Sequence, residues 1–389
     1  MAYYSKFFFV VITMIITVFM VINPQETVKA ASNGFQIWYI IILPALFPFF
    51  IVAELLVSLR FVHFLGVILE PIMRPLFRLP GCSSLVVTMG FTSGFPVGAL
   101  LTKKLYEEKM LTAEEAERLV SFTNNSSPLF ILGAVSIGMF GISSVGYLLA
   151  ASHYLSNIMV GIVWRFKAVK QQSLRSTSSK LLIQEALSTL SYADNKDTIS
   201  IGKALSDAIK NSINNILAIA GFIVVFSVIT RMLTVWGILD KLAIFITKLI
   251  NVSYNVAYGI CIGFFEITLG AKTVVSAPSD LLTQLIIVSI ILAFSGLSII
   301  TQIMSILYGT PIRLSFYLTS RILQMFFSAL ITFVGYHMFF LTSHPVPTVT
   351  IPTYKILYGF DAWTFSIYCL VIGFTLILLL LFISLLKNR

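Results

Sequence analysis

Charge is scarce in this sequence. Of its 389 residues 11% are charged and 58% are hydrophobic, and the mean hydropathy is +0.95. A soluble domain carries roughly 25% charged residues, so a soluble fold is excluded. Cysteine is scarce too. Cys82, Cys261 and Cys369 are odd in number, far apart and set in apolar text, which argues against a disulfide framework or a metal knuckle. The four histidines (His63, His153, His337, His344) lack ligand-like spacing. No H-E-x-x-H and no Walker-type phosphate loop occurs, so no metal, no cofactor and no direct ATP drive is expected. An enzyme would need a nucleophile with a base, or a metal cluster, and neither is visible. Alternating strands are also missing, which excludes a β-barrel.

Long apolar runs are abundant instead. A bilayer core needs about 20 apolar residues per helix, and the sequence predicts eight spans, at 7–22, 36–59, 120–141, 143–165, 208–235, 283–308, 318–341 and 363–386. The fold class is therefore an all-α polytopic membrane protein. We read 7–22 as an uncleaved first helix rather than a secretory signal, because Ala30-Ala31 does not form a clean cleavage pattern. Stretches 61–79 and 236–250 are amphipathic and are expected in the interface. The net charge of +10 comes from basic residues in short loops, so it orients the chain and does not point to nucleic acid.

That orientation forces a conclusion. Arg165, Lys167, Lys170, Arg175 and Lys180 have no acid among them, so loop 166–200 is expected on the cytoplasmic side. Counting back, 102–119 is cytoplasmic as well; we read it as a solvated helix with Thr112 as N-cap and Glu115 closing a capping box. Segment 82–100 then begins and ends on the same side. It must dip into the membrane and return, and Gly90, Gly94, Pro96 and Gly98 supply the break. Counting forward, 256–278 dips in from the opposite face. Only Lys241 and Lys248 sit against the positive-inside rule.

The two dips are copies. Gly90-Phe91-Thr92-Ser93-Gly94-Phe95-Pro96 followed by Asn124-Asn125-Ser126-Ser127-Pro128 answers to Gly263-Phe264-Phe265-Glu266-Ile267-Thr268-Leu269-Gly270 followed by Ser295-Gly296-Leu297-Ser298, about 171 residues on. Gly66 aligns with Gly237 and Asn124 with Ser295. The expected organisation is a first helix and outer loop (1–35), one repeat (36–165), a basic linker (166–207), a second, inverted repeat (208–341), and an outer loop with a last helix (342–389). Paired broken segments in inverted halves mark a transport site near the midplane.

The residues expected to line that site are Thr92, Ser93, Gly94 and Pro96 at the first tip and Asn124, Asn125, Ser126 and Ser127 at the following helix start. In the second half they are Glu266 and Thr268, with Ser295, Gly296 and Ser298. Glu266 has no cation within several residues, and an ionised carboxylate there costs several kcal/mol unless it is paired or protonated. A substrate or proton role is one reading; a structural ion pair, for instance with Lys272, is the other. The polar run 124–127 offers N–H groups to an anion, though plain capping uses one or two of them. Lys272 and Arg321 are read either as charge partners for an anionic substrate or as interfacial anchors. Glu54 is read as interfacial or ion-paired.

Leu43-Pro44-Ala45-Leu46-Phe47-Pro48-Phe49-Phe50, Gly90 to Pro96, Ser121-Phe122-Thr123-Asn124-Asn125 and Phe265-Glu266-Ile267-Thr268-Leu269-Gly270 together resemble the sporulation integral membrane protein YlbJ family, whose members carry the nucleoside-recognition Gate domain. The resemblance implies a transporter of a small organic anion, dipicolinic acid, across the mother-cell-derived outer forespore membrane during sporulation. Its expected partners are that anion and membrane lipid, with a coupling proton or sodium ion and a homo-oligomer left open. The rival readings are a transporter of nucleosides or another small solute, and a structural component of the spore envelope.

Overall fold

The computed structural model describes residues 2–58, 69, 71–167 and 201–339. The expected last span and outer loop, the linker beyond Lys167 and most of the 61–79 amphipathic stretch lie outside those residues. Among the described residues the chain is helical, without strands. Helices α1 (Ala2–Ile22) and α2 (Pro24–Ile37) lead through a wide turn, Trp38–Ile42, into α3 (Leu43–Ser58). The first dip is the hairpin of α4 (Ser83–Ser93) and α5 (Val97–Glu107). Next come α6 (Ala113–Thr123), the π-type α7 (Leu129–Phe140) and α8 (Ser143–Trp164).

The order then recurs. Helices α9 (Ile201–Val235) and α10 (Ile238–Ile250) precede a second hairpin, α11 (Tyr254–Phe265) with α12 (Ile267–Val275), followed by α13 (Leu281–Phe294), α14 (Gly296–Ile306) and α15 (Leu314–Phe339). The starts of α4 and α11, and those of α8 and α15, are each 171 residues apart.

Among the described residues, four helical stretches are long and apolar enough to cross a membrane, or up to six if each of two bent pairs is one span. One such pair, α10 with α11, bends by 117°. Helix α15 shows why the chain needs lipid. Ile322, Phe326, Leu330 and Phe333 are exposed, while Tyr317, Ser320, Arg321, Gln324, Ser328 and Thr332 are buried. A helix that turns its polar stripe inward and its apolar stripe outward is stable where the solvent is hydrocarbon.

Three expectations need correction. The span 120–141 is two helices, α6 and α7, separated by 124–127. The Asn124 carboxamide explains the break: its Oδ1 accepts the Ala99 N–H at 2.8 Å and its Nδ2 donates to the Val120 carbonyl at 2.9 Å, which draws the chain out to φ −91° and ψ 102°. The span 283–308 is also interrupted, because Ser295 and Gly296 both adopt φ of +74° between α13 and α14. The charged stretch 102–119 belongs to two helices. The return arm α5 runs on to Glu107, and the chain turns at Lys109, φ +59°, before α6. The capping box there is as expected: Thr112 Oγ1 accepts the Glu115 N–H at 3.3 Å, and Glu115 Oε2 accepts the Thr112 N–H at 2.9 Å.

The halves interlock. One apolar cluster joins Ile131, Val135 and Leu149 of the first to Ile267, Leu285 and Leu292 of the second. Another joins Ala99 and Val120 to Ile300, Ile303 and Tyr317. Outside the apolar zone, Arg313 binds Glu117 with N–O distances of 2.6 and 2.8 Å. Burial pushes the Glu117 carboxyl up, but the hydrogen bonds and charge of Arg313 outweigh it and hold the group below the usual carboxylate range.

Candidate functional site

Each hairpin tip lies against the break that follows it. At the first, α4 stops at Ser93 and Gly94 turns with φ +88°. A Cβ on Gly94 would stand 2.8 Å from the Ser127 backbone nitrogen, and one on Gly90 would stand 2.1 Å from the Thr123 carbonyl. At the second, α11 stops at Phe265, and a Cβ on Gly296 would meet the Phe265 carbonyl at 3.1 Å. The hairpin itself closes on two glycines, since a Cβ on Gly270 would stand 2.2 Å from Gly263 Cα. The small residues are there because backbone meets backbone.

The expected site residues fall into two groups. In the first half, Ser93, Gly94, Pro96, Asn124, Asn125 and Ser126 are buried together around the tip, with Ser127 beside them. Asn124 is committed to Ala99 and Val120. Ser127 Oγ caps α7 through the Phe130 N–H at 3.2 Å. Thr92 is spent on its own helix, donating to Thr88 at 2.9 Å. Ser93 Oγ, Asn125 Oδ1 and Ser126 Oγ are buried without a hydrogen-bond partner among the described residues.

In the second half, Glu266 caps α12: its carboxylate accepts the Thr268 N–H at 3.0 Å and the Leu269 N–H at 2.6 Å. Lys272 is exposed and makes no ion pair with Glu266. The partners of Glu266 are N–H groups at the N-terminal end of its own helix. Ser295 Oγ bonds only weakly, to the Ala293 carbonyl at 3.5 Å, and Ser298 is buried on α14. Among the described residues no hydrogen bond or ion pair links the two groups directly. Apolar contact does so, as Phe95 of the first tip and Phe294 and Leu297 of the second break pack on one cluster.

A buried link between the halves comes from Arg321. It is fully buried, so the interfacial-anchor reading fails. From α15 its guanidinium donates to the Ser121 carbonyl, to the Asn124 carbonyl at 3.1 Å and to Asn157 Oδ1 at 3.4 Å, and it lies over the Tyr317 ring at 5.0 Å. The carbonyl end of α6 and a ring face are its counter-charges; no carboxylate pairs with it among the described residues. A helix C-terminus is worth at most a fraction of a charge, so these partners balance the guanidinium only in part.

Around it runs a polar seam that sequence reading passed over. His153 Nε2 accepts the Ser126 N–H at 3.0 Å, Tyr154 OH donates to the Ser126 carbonyl at 2.9 Å, and Asn157 Nδ2 donates to the His153 carbonyl at 3.0 Å. His153 Nδ1 and both amide atoms of the fully buried Gln324 lack partners among the described residues. His153 and Gln324 are themselves 171 residues apart, one on the last helix of each half. The signal was present in the sequence: Tyr317, Arg321, Gln324, Ser328 and Thr332 recur at helical spacing inside an apolar span.

A family model described as Gate, nucleoside recognition, matches residues 39–143, which run from the turn before α3 to the start of α8. The chain is 41% identical over 323 residues to the sporulation integral membrane protein YlbJ of Bacillus subtilis, covering 81% of this chain and 79% of that protein. It is 32% identical over 147 residues to an uncharacterized protein of Alkalihalophilus pseudofirmus, covering 36% of this chain and 30% of that one. No solved structure matches.

Proposed function

The chain belongs to the sporulation integral membrane protein YlbJ family, and from that premise we propose that it is a membrane transporter of small organic anions acting in sporulation. The observation that carries this reading is Arg321: a fully buried guanidinium with no carboxylate partner among the described residues, at the broken helix where the two halves meet. Burying a guanidinium without an acid costs several kcal/mol, and that cost is offset when an anionic substrate arrives. The N-terminal end of α7 and the unpartnered groups of Asn125, Ser126, His153 and Gln324 supply the remaining contacts. The sequence-predicted residues Ser93 to Pro96, 124–127, Glu266, Thr268, Ser295, Gly296 and Ser298 form the two gates around it, and alternating access moves the two halves of the site against each other.

The proposed substrate is dipicolinate, a pyridine dicarboxylate that is a dianion at neutral pH, and the proposed place is the outer forespore membrane. Both rest on the family resemblance. The test is uptake of labelled dipicolinate by proteoliposomes, against labelled uridine because of the nucleoside-recognition match. Saturable dipicolinate uptake is expected, abolished in Arg321→Gln and partly kept in Arg321→Lys. Uptake of uridine with indifference to dipicolinate overturns the anion reading. Normal dipicolinate content in spores of a deletion strain would leave a structural role in the envelope.

A further inference from the structure

We infer that a cleft of about 510 Å3 framed by α3, α5, α9 and α14 is the admission site for the transported anion, and that Glu54 holds Lys104 there as a substrate carboxylate would. The inference rests on the transport reading above. Both halves build the cleft: Lys103 and Lys104 come from α5, Asn211 and Asn215 from α9, and Gln302 from α14. Glu54 of α3 is 5% exposed, and its Oε2 accepts from Lys104 Nζ at 2.8 Å and from Asn211 Nδ2 at 3.2 Å. A lysine and an amide converging on one carboxylate oxygen is a carboxylate receptor filled by the protein itself.

Two further observations point to a ligand. Gln302 is 6% exposed, lines the cleft, and its Nε2 has no partner among the described residues. The remaining wall is apolar, with Leu100, Ile219 and Phe222. Donors on one side and an apolar wall on the other fit a small body, aromatic or aliphatic, that carries carboxylates. Glu107 and Glu108 stand at the rim; both are exposed, and Glu107 faces Lys103 at 3.8 Å. Water screens those charges, so the half-buried Lys104 and the buried Gln302, with the exposed Asn211 at their edge, set the preference.

Two lining residues belong to the helices that adjoin the breaks. Leu100 follows Ala99, whose N–H is bound by Asn124, and Gln302 lies on the helix that begins at Gly296.

The test uses the full chain, cysteine-free, in liposomes, with Asn215→Cys labelled by a maleimide. Dipicolinate is expected to slow labelling and uridine is not. Glu54→Gln removes the internal competitor and should lower the half-protecting concentration roughly tenfold, the step made by one charge-assisted hydrogen bond. Lys104→Gln should raise it by a similar factor, and Lys104→Arg should restore it. No protection, equal protection by uridine, or an unchanged concentration in Glu54→Gln overturns the admission site. Uptake in the same liposomes separates the two ideas. Dipicolinate uptake without protection sinks the cleft alone, whereas absence of uptake sinks the transport reading and the cleft with it.

Discussion

Glu266 and Arg321 show how a charge inside a membrane protein is judged by what it touches. Glu266 stood out in sequence because no cation lies near it, and its partners proved to be two N–H groups of its own helix. That makes it a cap as well as a candidate transport group, and the two roles separate by substitution. Glu266→Ala is expected to lower stability by about 1 kcal/mol, as for other lost caps, read as a lower melting temperature. Glu266→Gln keeps an oxygen for the Leu269 N–H, so folding should hold while uptake and its pH dependence are lost. Unchanged uptake in Glu266→Gln would leave capping as its only role. Arg321 carried a weaker signal, being one basic residue near a span end, yet it joins the halves from a fully buried position. Its partners are main-chain carbonyls of Ser121 and Asn124, which no spacing rule reveals.

At the scale of elements, backbone contact decides which glycines matter. Gly270 meets Gly263 of the opposite hairpin arm, and a methyl there would overlap Gly263 Cα at 2.2 Å. Gly221, inside α9, has nothing within 4 Å. Gly270→Ala is therefore expected to destabilise by about 1–3 kcal/mol or more, as overpacked sites do, while Gly221→Ala is neutral or slightly stabilising by helix propensity. Thermal melting of the two purified variants checks this, and equal melting temperatures would count against the hairpin packing. The dips were legible because Gly, Pro and Ser interrupt apolar text where charge forbids a full crossing. The polar patches at 124–127 and 295–298 were legible as well, but not how they interrupt the helices: at the second, a left-handed turn packs on the Phe265 carbonyl.

For the whole molecule, the repeated order of helices carries one directional claim, inversion, which rests on charge in the loops. Glu108→Cys and Ser276→Cys lie beyond the return arms of the two hairpins. In sealed vesicles a membrane-impermeant maleimide should reach them from opposite sides. Labelling from one side would make the repeat parallel and remove the opposed gates from the transport scheme.

The sequence by itself determined the solvent, the helical class, the two hairpins and the repeated order of the halves, because hydropathy and helix-breaking residues act locally and need no partner. Only the tertiary structure decided which polar groups are spent and which are left. Asn124, Thr92 and Glu266 satisfy backbone groups nearby, while Arg321, Gln324 and His153 are carried into a seam between elements far apart in the chain. Whether a buried polar atom is a brace or a ligand depends on the geometry of its neighbours, and these neighbours come together only when α8, α15 and the first break pack against one another.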